Sequence, residues 1–184
     1  MEMRSIEKNS IFEFLRSRKS NGSFIYKKLK DDLIKEILEC GTYALNEENN
    51  QPWIIKVNVI THPTVKQMIS EFAEDKYQEI LTEAYVNLVI FLDLNSSTNR
   101  TKDLQAIGAF IQNILLAAHA IDGLGSVWIE NIIAHNEKIL EIFKLSKNKY
   151  ELMGVIAMGP IEETKKKENN SKEVKPVDQF TDWF

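Results

Sequence analysis

Val86-Asn87-Leu88-Val89-Ile90-Phe91-Leu92-Asp93-Leu94 is apolar at every position except Asn87 and Asp93. A run this short, with no alternation of apolar and polar residues, reads as a β-strand covered on both faces and therefore central in its sheet. The flanking sequence supplies the covers. Upstream, Val65, Met68, Ile69, Phe72 and Ala73, then Tyr77, Ile80, Leu81 and Ala84, repeat at helical spacing, and the β-branched stretch Trp53–Thr61 after Pro52 reads as a strand. Before it, Leu33, Ile34, Ile37 and Leu38 define a helix with Asp31 as its N-cap and its end near Gly41, followed by a polar loop at Asn46–Gln51. Ile11, Phe12, Phe14 and Leu15 give a short amphipathic helix that runs into the basic loop Arg16–Ser23.

Downstream, Asp103–Ile121 is the longest helical pattern, and its alanines allow close approach on several sides. Gly123 and Gly125 end it, as glycine does where the backbone needs positive φ. Ser126–Ile129 reads as a short strand, Glu137–Phe143 as a helix, and Leu152–Met158 as a strand ended by Gly159–Pro160. Helices alternating with strands point to a layered α/β or α+β domain. The polar segment from about residue 162 closes on Phe180, Trp183 and Phe184, which is expected to dock against the body or a partner; the Lys165–Lys167 run reads as solvated.

Composition excludes several classes of function. The 184 residues carry 23 Lys+Arg against 27 Asp+Glu, a formal charge of −4, which gives no reason to expect nucleic acid as a partner. No apolar run approaches the roughly 18 residues of a membrane span, and the charged start is unlike a signal sequence, so a cytoplasmic protein is expected. One cysteine, Cys40, read as a small core residue, and three scattered histidines exclude a disulfide framework and leave no metal site to expect. His119, among alanines, reads as packed, and Glu47 and Glu48 act as acids only if burial raises their pKa. The sequence has no G-x-S-x-G, G-x-x-x-x-G-K-[ST], G-x-G-x-x-G or H-E-x-x-H. No side-chain catalytic residue is therefore expected.

Three segments remain. Arg18-Lys19-Ser20-Asn21-Gly22-Ser23-Phe24 places two cations and two hydroxyls in one loop, donors suited to a phosphate. Ala44-Leu45-Asn46-Glu47-Glu48-Asn49-Asn50-Gln51-Pro52-Trp53 gathers amides that can meet a heterocycle with mixed donor and acceptor edges. Gly108–Glu130 runs from a helix through a glycine turn into a strand. Each alone has a plain structural reading: a solvated loop, a helix-to-strand connection, a capped core helix.

Taken in order, the three resemble the nitroreductase family. The family's first motif, R-R-S-x-[RK]-x-F, is matched by Arg18, Lys19, Ser20 and Phe24. Its second, A-P-S-x-x-N-x-Q-P-W, is matched by Ala44, Asn49, Gln51, Pro52 and Trp53. Its third, a Q-N-x-x-L-A-A helix with a G-L-G turn, is matched by Gln112, Asn113, Leu116, Ala117, Ala118, Gly123, Leu124 and Gly125. The resemblance spans about residues 11–160. It implies a single FMN-binding domain over 1–184 with a C-terminal tail at about 162–184. The implied fold is α+β, a three-layer α-β-α sandwich with a mixed, mainly antiparallel sheet.

The resemblance further implies an FMN-dependent NAD(P)H oxidoreductase, homodimeric, with chemistry carried by flavin N5 and a nitroaromatic, quinone or similar small acceptor. Arg18, Lys19 and Ser20 are implied to hold the phosphate, while Asn46, Asn49 and Gln51 lie in the flavin-binding loop, the two asparagines reaching the partner's flavin. Ile129, Glu130 and Asn131 are implied to pass the N5 and O4 edge, and Lys172 or Lys175, before Pro176, to approach the phosphate. Related flavoenzymes that work without nicotinamide, and a non-catalytic flavin binder, are the alternative readings. Leu45 and Asn46 replace the usual Pro-Ser. Gly22 stands where the family often has a cation near the flavin pyrimidine, which implies a lower flavin potential.

Overall fold

Strand β2 (Val86–Asp93) is buried from Val86 through Leu92, and the architecture follows from covering it on both faces. The computed structural model describes residues 10–59, 62–96, 99–162 and 174–183. β2 pairs antiparallel with β1 (Trp53–Val59) on one side and β4 (Tyr150–Pro160) on the other, and β3 (Leu124–Ile129) pairs antiparallel with β4. The order is β1-β2-β4-β3, with β1 and β3 at opposite edges. In register, Trp53 faces Leu92 and Leu124 faces Pro160. A mixed, mainly antiparallel sheet is expected from the resemblance, and every neighbouring pair among the described residues is antiparallel.

Side-chain alternation in β2 splits the core in two. Leu88, Ile90 and Leu92 pack beneath α2 (Asp31–Thr42) and α5 (Arg100–His119), with Ile34, Ile37, Phe110 and Ile114. Val89 and Phe91 pack beneath α3 (Pro63–Ser70), α4 (Asp75–Glu83) and α6 (Asn136–Ile142), with Ile69, Leu81 and Ile139. Three layers result. α2 approaches α5 closely because Gly41 has no side chain: a Cβ there would lie 2.7 Å from Phe110 Cε2. The Phe110 ring also stacks on Trp53, with centroids 4.6 Å apart.

Several local expectations are corrected. Lys30 occupies the N-cap position of α2 and Asp31 is already helical, where its charge favours the helix dipole. Gly123 has φ of 72° as expected, whereas Gly125 lies inside β3 and is small for a packing reason: a Cβ would lie 2.6 Å from Ile161 Cγ2. Cys40 is exposed, since the buried stripe of α2 runs through Ile34, Ile37 and Gly41 and leaves position 40 outside it. Among the tail aromatics, Phe180 and Trp183 do not dock on their own chain, and Trp183 is 85% exposed; Lys165–Lys167 and Phe184 lie outside the described residues. No helix among the described residues is long and apolar enough to cross a membrane, and no cluster of His, Cys, Asp and Glu among them could hold a metal ion.

Candidate functional site

The basic loop after α1 (Ser10–Ser17) is laid across the ends of β3 and β4. The Asn21 N–H donates to Ser126 O at 3.0 Å, the Ile25 N–H to Pro160 O at 2.8 Å, and Asn21 Oδ1 accepts from the Ser23 N–H at 3.0 Å. Phe24 is buried over Gly159, where a Cβ would meet the Phe24 ring at 3.0 Å. Absent side chains at Gly125 and Gly159 thus let the loop seat on the sheet. α1 itself buries no residue. It is anchored at its end, where Ser17 Oγ lies 2.8 Å from His119 Nε2 and the Phe14 ring lies 5.1 Å from the His119 ring. His119 is a packed histidine, as read.

This seating half-buries Arg18 and Lys19 and leaves Ser20 exposed. Arg18 Nη1 is buried and has no hydrogen-bond partner. A desolvated guanidinium donor without an acceptor is unfavourable, and a bidentate anion is the partner its geometry suits.

The second loop sits elsewhere. A short 3₁₀ turn at Glu47–Asn49 leads through Pro52 into β1. Asn46 Oδ1 accepts from the Gln51 N–H at 2.8 Å, Asn46 Nδ2 donates to Ala44 O at 3.0 Å, and Gln51 Nε2 donates to Asn49 Oδ1 at 3.2 Å. A cavity of about 400 Å³ opens beside it, lined by Leu45, Asn46 and Glu47 of the loop and by Lys102, Gln105, Ala106 and Ala109 of α5. Glu47 pairs with Lys102, so it serves as an ion-pair partner and not as a buried acid.

Ile129 is buried at the end of β3, Glu130 is exposed, and Asn131 opens a 3₁₀ turn. Hydrogen bonds from the side chains of Asn131 and then Lys76 hold the Glu74 carboxyl below the usual carboxylate range. Asn131 Oδ1 is buried and unpartnered. Lys175 is exposed, and Lys172 lies outside the described residues.

One chain brings the first loop and β3 together but keeps the second loop apart. Arg18–Ser20 lie by the corner where Leu124 faces Pro160, and Asn46–Gln51 by the opposite corner, where Trp53 faces Leu92. α5 spans the two: His119 touches the end of α1, Lys102 touches the second loop, and the helix between them rises on the order of 25 Å at about 1.5 Å per residue.

The model of the Nitroreductase family matches residues 15–160, from the end of α1 through β4. The chain belongs to the nitroreductase family. This nitroreductase-family chain is similar to a Methanothermobacter thermautotrophicus protein provisionally assigned as an NADH dehydrogenase/NAD(P)H nitroreductase, with 28% identity over 129 residues. The match covers 67% of this chain and 62% of that relative's length. Among solved structures it is similar to a Desulfovibrio desulfuricans protein, provisionally assigned as a nitroreductase and crystallised with FMN, at TM-score 0.85 and 29% identity over 97% of this chain and 99% of the other. The fold also matches the NADPH:FMN oxidoreductase of Vibrio harveyi complexed with NAD+, at TM-score 0.74 and 22% identity over 91% of this chain and 73% of that one.

Gly22 has a packing role that sequence reading missed. Its φ lies outside the left-handed region, but a Cβ would meet three atoms of Ile80 on α4 at 2.7, 2.9 and 3.0 Å. A lysine placed there has to displace Ile80 before it can reach any ligand. Gly22→Ala is expected to destabilise the fold by roughly 1–3 kcal/mol through overpacking, and Ile80→Ala in the same chain to relieve part of that loss. Denaturant unfolding of the two single variants and the double variant measures the coupling.

Proposed function

We propose that this chain is a homodimeric, cytoplasmic FMN-dependent oxidoreductase that moves hydride from NADH or NADPH to a nitroaromatic, quinone or similar small acceptor. The observation that carries this reading is the buried, unpartnered Nη1 of Arg18 in a loop that also presents Lys19 and Ser20. A phosphate supplies the acceptor that this donor lacks, so the residues present fit FMN. When bound, FMN would supply the redox chemistry between nicotinamide and acceptor. The protein binds and orients. Arg18, Lys19 and Ser20 hold the phosphate, with Lys175 or Lys172 approaching from the tail. Backbone groups of Ile129, Glu130 and Asn131, where β3 ends and the next turn begins, would line the redox-active edge of the ring.

Asn46 and Asn49 of the partner subunit complete the ring site, with Gln51 bracing that loop. Support for a shared site comes from the opposite corners that the two loops occupy in one chain, a separation too great for one flavin to bridge. The exposed apolar residues fit the same arrangement. Phe12 on α1 and Val174, Val177, Phe180 and Trp183 on the tail are uncovered in the single chain, a surface that a second copy would bury. Residues 1–184 then act as one FMN-binding domain, with the tail from about 162 docking on the partner.

Purified protein with a flavin absorbance spectrum and about one FMN per chain, bleached anaerobically by NADH or NADPH, is the expected result. Colourless protein that takes up no FMN refutes the reading. Arg18→Ala is expected to weaken FMN binding roughly ten- to hundred-fold, the equivalent of losing a charge-assisted contact of about 1.5–3 kcal/mol. Fluorescence titration of apoprotein with FMN reads the change.

A further inference from the structure

The loop that carries Asn46 and Asn49 has a backbone its residues do not prefer. Glu48, Asn49 and Gln51 have φ of 49°, 56° and 48°, in the left-handed region where glycine is the ordinary occupant. Such a conformation persists only where the surroundings over-determine it. The bonds among Asn46, Asn49 and Gln51 close the turn on itself without fixing where it sits on the body.

Two side-chain links do that. Asn50 Nδ2 donates to Ser96 O beyond β2, and Lys102 Nζ, in the first turn of α5, donates to Glu47 Oε1. The second link joins the two walls of the cavity beside the loop. The hydrogen bond to Glu47 raises the Lys102 pKa above its ordinary value, with the charge of Glu48 adding to it.

We propose that Lys102 is a positioning residue, whose ion pair with Glu47 holds the Asn46–Gln51 loop against α5 in the arrangement that presents Asn46 and Asn49 to the flavin of the partner subunit. The proposal rests on the flavin reading given above. An exposed pair adds little to global stability, so its consequence falls on ligand affinity, through a loop ordered before binding instead of during it.

Apoprotein forms of the wild type, K102M, K102R, K102E and E47K/K102E, titrated with FMN and melted without it, test the proposal. K102M is expected to bind FMN about three- to tenfold more weakly at an unchanged melting temperature, and K102R to retain most of the affinity. E47K/K102E is expected to recover most of what K102E loses, which a direct contact between Lys102 and the ligand does not allow. Without any ligand, glutamyl endopeptidase is expected to cut after Glu48 several-fold faster in K102M. Wild-type affinity in K102M, or a charge-swapped variant no better than K102E, overturns the proposal and leaves the flavin reading intact. A wild-type chain that takes up no FMN overturns that reading, and the proposal with it.

Discussion

Hybrid dimers built from Arg18→Glu chains and Asn46→Ala/Asn49→Gly chains are expected to bind about one FMN per dimer, while each parent homodimer binds far less. In a site that takes its phosphate loop from one subunit and its amide loop from the other, the hybrid assembles one undamaged site and one doubly damaged site. The first-loop substitution removes a charge-assisted contact of about 1.5–3 kcal/mol and adds repulsion toward a phosphate, so the parent loses affinity by more than roughly a hundredfold. Glycine at 49 tolerates the φ of 56° that asparagine holds there, which keeps the loop backbone available. Differentially tagged chains, mixed in denaturant, refolded and separated, give the stoichiometry. A hybrid no better than its parents places both loops on the same flavin from the same chain. That outcome contradicts the opposite-corner geometry of β1 and β3 and with it the shared site.

That geometry marks the boundary of what the sequence tells. β2 is legible because burial on both faces removes alternation, and a run this short and rich in Val and Ile fits a central strand better than a buried helix. The α5 pattern is legible for a related reason: its apolar positions outnumber one face, as a helix between α2 and the sheet requires. Which corner each motif occupies depends instead on strand order, and β1-β2-β4-β3 follows from long-range pairing that no local pattern encodes. The Glu47–Lys102 link is hidden in the same way, two charges far apart in sequence with no spacing rule to connect them. Gly22 shows a further limit: the missing cation is legible in the sequence, whereas the crowding by partly buried Ile80 that keeps a side chain out of that position is not. Cys40 is exposed although cysteine is usually buried, because helix phase outweighs residue type.

Raising the pH from about 7.5 to 10 is expected to stabilise the fold, and Lys66→Met to abolish that gain. Lys66, on α3, is 2% exposed; its Nζ donates to Ala84 O and, at 3.5 Å, to Leu81 O at the end of α4. Asn87 Nδ2 donates to the same Leu81 O at 2.9 Å, and Asn58 faces Asn87 across the β1–β2 pair, the Oδ1 atoms of both buried without a partner. Burial lowers the ammonium pKa from 10.5 to about 8. Below that value Lys66 is protonated in the folded and the unfolded chain alike, and the penalty of burying its charge is fully present. Between about 8 and 10.5 the unfolded chain holds a proton that the folded chain has released, so unfolding takes up a proton and stability rises with pH. At about 1.4 kcal/mol per pKa unit, the rise amounts to on the order of 2–3 kcal/mol by pH 10. Lys76, Lys102 and Lys147, raised by their carboxylate partners, act in the opposite direction only above their ordinary range, which keeps them outside this window. Guanidinium unfolding at several pH values, run on the wild type and on Lys66→Met, separates this residue from the other lysines and tyrosines, whose titration both proteins share. Parallel curves for the two proteins show that Lys66 releases no proton on folding and that its ammonium stays charged inside the cluster.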